Sequence, residues 1–392
     1  MQARTHAAIA LALLTGLAGC SVGDDDERPP QLGTKSGDED AAAKLGFPST
    51  ATKNTIRVGG GDAAADAAGV AGAVFPGTTD AGRPTAVVLV DKDDWQAGVT
   101  AAALTARPIG APLLISDGDE LPPVSADTLD RLKPKGSDLS KDAQVIRIGP
   151  DVARPDGFKT AVVQGDDPFQ RAAAIDRFVS AARGKPSADV VLYSADSPEW
   201  ALPAASWAAR SGDAALPVKR DSIPAPVRQT LAGHEGPNVF LLGPRSVISG
   251  AVERELRKRK LAGSINRIAA RTPVENSIAF ARYEKGDFGW GIVVPGYNFA
   301  IANVDRPLDV AAAASLATRG VFAPLLLTDD ADELPRPLEA YLLSVQPGYE
   351  DDPAQAVYNR AWILGDDKAI SVNEQARIDA TTELIPVQAN AP

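Results

Sequence analysis

Three landmarks recur three times in one order along this sequence, and no other feature limits the fold as strongly. The first is a short apolar run closed by glycine: Gln144-Val145-Ile146-Arg147-Ile148-Gly149-Pro150, Asn238-Val239-Phe240-Leu241-Leu242-Gly243-Pro244 and Ala361-Trp362-Ile363-Leu364-Gly365-Asp366. The second, upstream of each, is an alanine-rich stretch (101–106, 204–209, 311–317) leading into Ala111-Pro112-Leu113-Leu114-Ile115-Ser116, Ala214-Ala215-Leu216-Pro217-Val218-Lys219 or Ala323-Pro324-Leu325-Leu326-Leu327-Thr328. The third is Leu121-Pro122, Ile223-Pro224 or Leu334-Pro335, each opening a loop ahead of an amphipathic stretch. The period of about 100 residues exceeds the ~20–45 residues of a solenoid repeat, so each copy is expected to be a domain-sized module.

Within the first copy, predicted strands at 56–58, 86–90, 113–116 and 144–148 alternate with predicted helices at 63–73, 96–106 and 126–132. The strands are continuously apolar instead of alternating. That pattern marks strands buried on both faces of a mostly parallel sheet covered by helices. With right-handed crossovers it predicts the α/β class, as three tandem Rossmann-like, doubly wound modules at residues 55–160, 161–263 and 264–392. The middle copy is the most degenerate.

Ahead of the modules the composition changes twice. Arg4 and the apolar run 8–17 have the layout of a secretory signal, too short and too rich in alanine and glycine for a spanning helix. The run closes on Leu17-Ala18-Gly19-Cys20, which resembles the bacterial lipobox. That resemblance implies removal of residues 1–19 and a lipid on Cys20, the only cysteine. A single cysteine excludes an internal disulfide framework, so stability must come from packing. Residues 20–54, with Asp24-Asp25-Asp26-Glu27 and Asp38-Glu39-Asp40 and few large apolar side chains, are expected to form a disordered acidic tether. The expected location is outside the cell, anchored in the membrane through that lipid and facing the wall or periplasm.

The remaining chain resembles the type 2 cell wall binding repeat, a family of exported bacterial proteins that usually carry three copies. Arg57-Val58-Gly59-Gly60-Gly61-Asp62, and more weakly Arg267-Ile268-Ala269-Ala270-Arg271, are similar to its opening motif. Its Asp-Ala-Leu-rich helix resembles 95–106 and Pro307-Leu308-Asp309-Val310-Ala311, and its Ala-Pro-Ile-Leu-Leu element resembles 111–115 and 323–327. Its Ile-Ile-Gly-Gly element is similar to Ile146-Arg147-Ile148-Gly149 and Leu241-Leu242-Gly243. The middle copy departs, offering Val163-Gln164-Gly165-Asp166-Asp167 as its opening, and the third is longer, through 347–353. The resemblance implies a monomer of three modules, packed as a triangular pseudo-trimer, that binds an anionic cell wall polymer noncovalently. It singles out Pro112, Leu113, Leu114, Pro324, Leu325 and Leu326 as polymer-binding candidates.

Arg57, Arg147, Arg267 and Arg271 lie at or near strand ends, where open α/β sheets bind ligands, and are the candidates for holding polyanion charge. The net charge of −11 opposes nonspecific attraction to polyanions, and no nucleic-acid partner is expected. His234, in Ala232-Gly233-His234-Glu235-Gly236, reads as a solvated turn residue and not a catalytic base. Asp91-Lys92-Asp93-Asp94 and Asp329-Asp330-Ala331-Asp332-Glu333 lack the glycine-bearing calcium loop and read as polar loops. Gly59-Gly60-Gly61 misses the G-x-G-x-x-G spacing and places Asp62 where a phosphate would lie, so a tight turn is expected. The basic run 254–260 suits the end of a helix dipole. No enzyme activity, cofactor or metal is expected. Two function classes remain: a lipid-anchored protein that binds a wall glycopolymer, and a solute-binding lipoprotein or envelope scaffold. Two lobes with one hinge would mark a solute-binding protein. Trp95, Trp200 and Trp290 are candidates for stacking on sugars but are expected in cores.

Overall fold

The computed structural model describes residues 49–77 and 79–387. The expected signal, Cys20 and the tether up to residue 48 lie outside the described residues. The principal strands are β1 (Ser49–Ala51), β2 (Thr55–Val58), β3 (Val87–Asp91), β4 (Leu113–Ser116), β5 (Val145–Ile148), β6 (Thr160–Val163), β7 (Asp189–Ser194), β8 (Ala214–Val218), β9 (Asn238–Leu242), β10 (Ser264–Ile268), β11 (Asn298–Asn303), β12 (Leu325–Thr328) and β13 (Arg360–Leu364). They build three main sheets, ordered β4-β3-β5-β6, β8-β7-β9-β10 and β12-β11-β13-β2-β1. Every pairing in them is parallel except that of β1 with β2. The class is α/β with mostly parallel sheets, as the apolar strands imply. β3, β4, β7, β8, β11 and β12 are buried almost throughout.

Sheets and sequence repeats are offset by one strand. The segment 56–58, expected to open the first module's sheet, pairs instead with β13, placing Arg57 opposite Ile363. β6 and β10, which open the second and third copies, likewise complete the sheets of the copies before them, beside β5 and β9. Each sheet therefore takes its fourth strand from the start of another copy, and the third takes it from the first, which closes a ring. Residues 49–54, expected to close the tether, belong to the fold instead, because β1 covers the outer edge of β2. An open strand edge exposes unpaired N–H and C=O groups, and a short added strand removes that liability.

The helices that place the site are α1 (Ala63–Val74), α2 (Trp95–Ala101), α3 (Pro168–Arg183), α4 (Pro203–Ser211), α5 (Gly250–Arg259), α6 (Pro273–Arg282), α7 (Pro307–Ala313) and α8 (Val372–Thr381). Helices α1, α3 and α6 carry the chain between sheets: each follows a fourth strand and packs on β4, β8 or β12 of the next sheet. They start alike. Asp62, Asp167 and Thr272 accept from the amides of Ala65, Gln170 and Glu275, satisfying donors left free in the first turn. Helices α2, α4 and α7 meet pairwise where the three sheets converge. Their alanine content serves that junction: a Cβ on Gly98 of α2 would lie 2.7 Å from the Ala311 methyl of α7, so the approach requires glycine.

One copy lacks an element. Helix α5 lies between β9 and β10 and α8 follows β13, but 149–159 runs from β5 to β6 without an α-helix.

Candidate functional site

The strand-end arginines are clamps on loops. Arg57 is only 5% exposed. Its Nε donates to Gln375 Oε1 at 2.8 Å, and its two Nη atoms donate to the carbonyls of Gly365 (2.9 Å), Asp366 (2.7 Å) and Ile370 (2.6 Å), with Ser371 at 3.5 Å. Arg267 repeats the arrangement on the middle sheet, donating to Gly243 O at 2.7 Å and to Glu253 of α5 at 2.7 Å. In the first sheet Val162 holds the matching register position, and Arg147, directly opposite on β5, does the clamping. It donates to Val152 O at 2.8 Å and Pro150 O at 2.6 Å. With no helix after β5, the loop to be held returns close to β5 itself, within reach of an arginine on that strand. Arg271 is exposed, just ahead of the Thr272 cap of α6, and pairs with Glu275 in that helix's first turn at 2.8 Å. The structure thus scatters the four arginines over separate loops and turns the guanidinium groups of three of them inward.

Pro112, Leu113, Leu114, Pro324, Leu325 and Leu326 are corrected as surface candidates. All are buried, because β4 and β12 are covered by the crossing helices α1 and α6. The acidic loops fold onto themselves. Asp91 accepts from the amides of Asp93 and Gly118, and Asp330 from those of Asp332 and Glu333. No group of three or more His, Cys, Asp or Glu side chains suited to a metal occurs among the described residues. Gly60 donates its amide to Asp66 Oδ1 at 2.6 Å, so the glycine turn folds back on its own helix.

That last contact belongs to a threefold set. Asp66, Arg171 and Asn276 each stand four residues past a helix cap and reach six residues back. Arg171 donates to Gly165 O at 3.1 Å, and Asn276 Oδ1 accepts from Ala270 N at 3.0 Å. Asp66 and Arg171 also face the loop after the first strand of the preceding sheet, at the switch point where doubly wound folds bind ligands. There they carry opposite charge. Arg171 pairs with Asp94 at 2.6 Å, whereas Asp66 lies 3.9 Å from Arg306, which also pairs with Asp309 (2.6 Å) and Asp366 (3.0 Å). One guanidinium thus meets three carboxyl groups. Burial, then the adjacent Asp309, pushes Asp66 up to about 10, so it holds its proton at neutral pH. Internal pairs occupy both crevices.

His234 is corrected as well: it is buried and not solvated. Nδ1 lies 2.8 Å from Ser187 O and Nε2 3.0 Å from Asp176 Oδ2. Both ring nitrogens face acceptors, so the imidazolium satisfies both where a neutral ring satisfies one. Burial lowers the pKa, but the bond and charge of Asp176 outweigh it and the net shift is upward. A raised folded-state pKa gives stability that is complete below the unfolded value of about 6.5 and lost as pH rises through the folded value. Asp176→Asn is therefore expected to cost more stability at pH 6 than at pH 8.5 in urea unfolding. Equal costs at both would show that the ring stays neutral.

Two adjoining clefts open beside the C-terminal end of α4. One, of about 620 Å³, is lined by Arg183, Lys185, Asp189, Asp213 and the wall formed by His234. The other, of about 540 Å³, is lined by Arg210, Trp290, Tyr297, Asn298 and Phe322. Ser211 and Asp287 line both. Trp290 is the one tryptophan of the three candidates in this cleft; Trp200 is buried, and Trp95 packs 6.2 Å from Tyr193. Sequence reasoning missed Arg210, Asp287, Tyr297 and Phe322, which fall between the repeated landmarks.

No family model matches the sequence, and no curated protein matches it. Among solved structures, the fold is similar to Cwp6 from Clostridium difficile at 16% identity and a TM-score of 0.65, over 88% of this chain and 49% of that one. It is similar to Cwp8 from Clostridium difficile at 19% identity and a TM-score of 0.64, over 87% of this chain and 53% of that one. The chain spans about half the length of each, and at these identities the likeness is one of fold.

Proposed function

We propose that this is a non-catalytic protein of the bacterial cell envelope, anchored through a lipid on Cys20, that binds a cell wall glycopolymer in the adjoining clefts beside α4. The clefts carry this reading: with the arginine clamps and leucine strands turned inward, they gather charged and polar side chains at the surface, and the second adds aromatic ones. The resemblance of the repeats to cell wall binding modules and the likeness of fold to Cwp6 and Cwp8 support it. No helix among the described residues is long and apolar enough to cross a membrane, so within them nothing duplicates the attachment assigned to Cys20. A solute-binding protein would need two lobes closing about one hinge, which three sheets tied in a ring do not offer.

The test is retention of a chain beginning at Ser49 on purified wall fractions across a salt series. Starting later would remove strands of the third sheet. Retention is expected, weakening with salt to the extent that Arg183, Lys185 and Arg210 contact anionic groups. Failure to bind at every salt concentration would reject the reading.

A further inference from the structure

One backbone position is left-handed in all three copies. Gly110, Gly212 and Phe322 each stand six residues before the last residue of β4, β8 and β12, with φ of 64°, 74° and 53°. Two copies meet the demand with glycine. The third places a bulky side chain there, where L residues are strained. Packing covers only part of it, since Phe322 stays 43% exposed. Its ring carries the Arg210 guanidinium 4.5 Å from the centroid and forms a lip of the 540 Å³ cleft. Strain kept at an exposed aromatic, where a neighbouring copy shows the relaxed alternative, points to a ligand.

The rest of the cleft defines its class. Trp290 and Tyr297, the latter 37% exposed, stand with Phe322 as flat apolar faces. Gly289, Gly296 and Gly320, with φ of 106°, 107° and 93°, leave the lining bare of side chains between them. Asp287, Asn298 and Arg210 supply hydrogen-bonding groups. The volume lies within the ~300–1,000 Å³ of small-ligand sites. A pyranose ring, with an apolar C–H face and a rim of hydroxyls, matches that mixture, while a nucleic-acid base would bring phosphates to a chain of net charge −11. We infer that this cleft is a saccharide subsite in which Phe322 stacks on a sugar ring and Asp287 and Arg210 bind hydroxyls. The inference rests on the glycopolymer reading and says where and through what chemistry the polymer is held.

Phe322→Gly tests it, because the variant installs what Gly110 and Gly212 already supply. Its thermal midpoint is expected to equal or exceed that of the parent, while retention on the wall fraction falls at least tenfold. Tyr297→Ala should lose retention similarly with the fold intact. Titration with soluble glycan released from the same walls should change tryptophan emission in the parent and not in Phe322→Gly. Parent and Phe322→Gly retained equally would overturn the subsite and leave the glycopolymer reading standing. A parent chain that never binds would reject both. A lower midpoint for Phe322→Gly would show that the side chain serves the fold, and would also overturn the inference.

Discussion

A chain that begins at Gly59 is expected to lose at least about 5 kcal/mol of stability, in the range reserved for gross disruption of a core. The missing residues, 49–58, hold no catalytic group and little apolar bulk, yet they complete the third sheet. Thr55, Arg57 and Val58 are buried, and β2 lies between β13 and β1. Loss of Arg57 alone leaves the carbonyls of Gly365, Asp366 and Ile370 without their donor, at roughly 1–3 kcal/mol for each one that water cannot reach. Asn54 further ties its amide to Asp379 Oδ1 at 2.8 Å, and Lys53 pairs with Glu383. Urea unfolding followed by circular dichroism reads the effect. A permuted chain with residues 49–58 appended after Val387 should recover most of it, because β2 would then follow β13 and α8 as β10 follows β9 and α5. A truncated chain with the parental midpoint would show that the third sheet stands without its fourth strand.

Asp66→Asn is expected to raise stability at alkaline pH and flatten its pH dependence. The folded chain keeps the Asp66 proton up to about 10, whereas the unfolded chain releases it near 4. Between those values the folded state binds more protons, so stability falls as pH rises, by up to about 1.4 kcal/mol per pH unit. Asparagine can accept from Gly60 through its carbonyl and donate to Asp309 through its amide, imitating the protonated acid at every pH. The third copy makes that choice already, with Asn276 accepting from Ala270 at 3.0 Å. Glu374, pushed up to about 8 by burial, acts in the same direction, so a residual slope should persist below pH 8. Urea midpoints at pH 6, 7.5 and 9 test the pair. Parallel curves for parent and variant would mean that Asp66 is ionised in the fold.

Much of the architecture was legible because it rests on local pattern. Continuous apolar runs such as Val87–Asp91 report burial on both faces, and alanine-rich stretches such as 311–317 report helices that must approach closely. The arginines misled for a physical reason. A cation near a strand end looks the same whether it faces a polymer or the carbonyls of its own loop, and only the path of 365–371 places those carbonyls around Arg57. His234 misled similarly: its partners, Ser187 and Asp176, are 47 and 58 residues away, and nothing in Ala232-Gly233-His234-Glu235-Gly236 announces them.

The sequence by itself determined the triplication, the α/β class and the parallel, doubly covered strands, since periodicity and burial are written into neighbouring residues. Only the tertiary structure decided which copy completes which sheet, where the charged pairs fall, and which aromatic is held exposed under strain. Those depend on pairings across up to about three hundred residues, such as Thr55 with Ala361. Strand edges of similar composition are interchangeable there until the ring closes and leaves one partner for each.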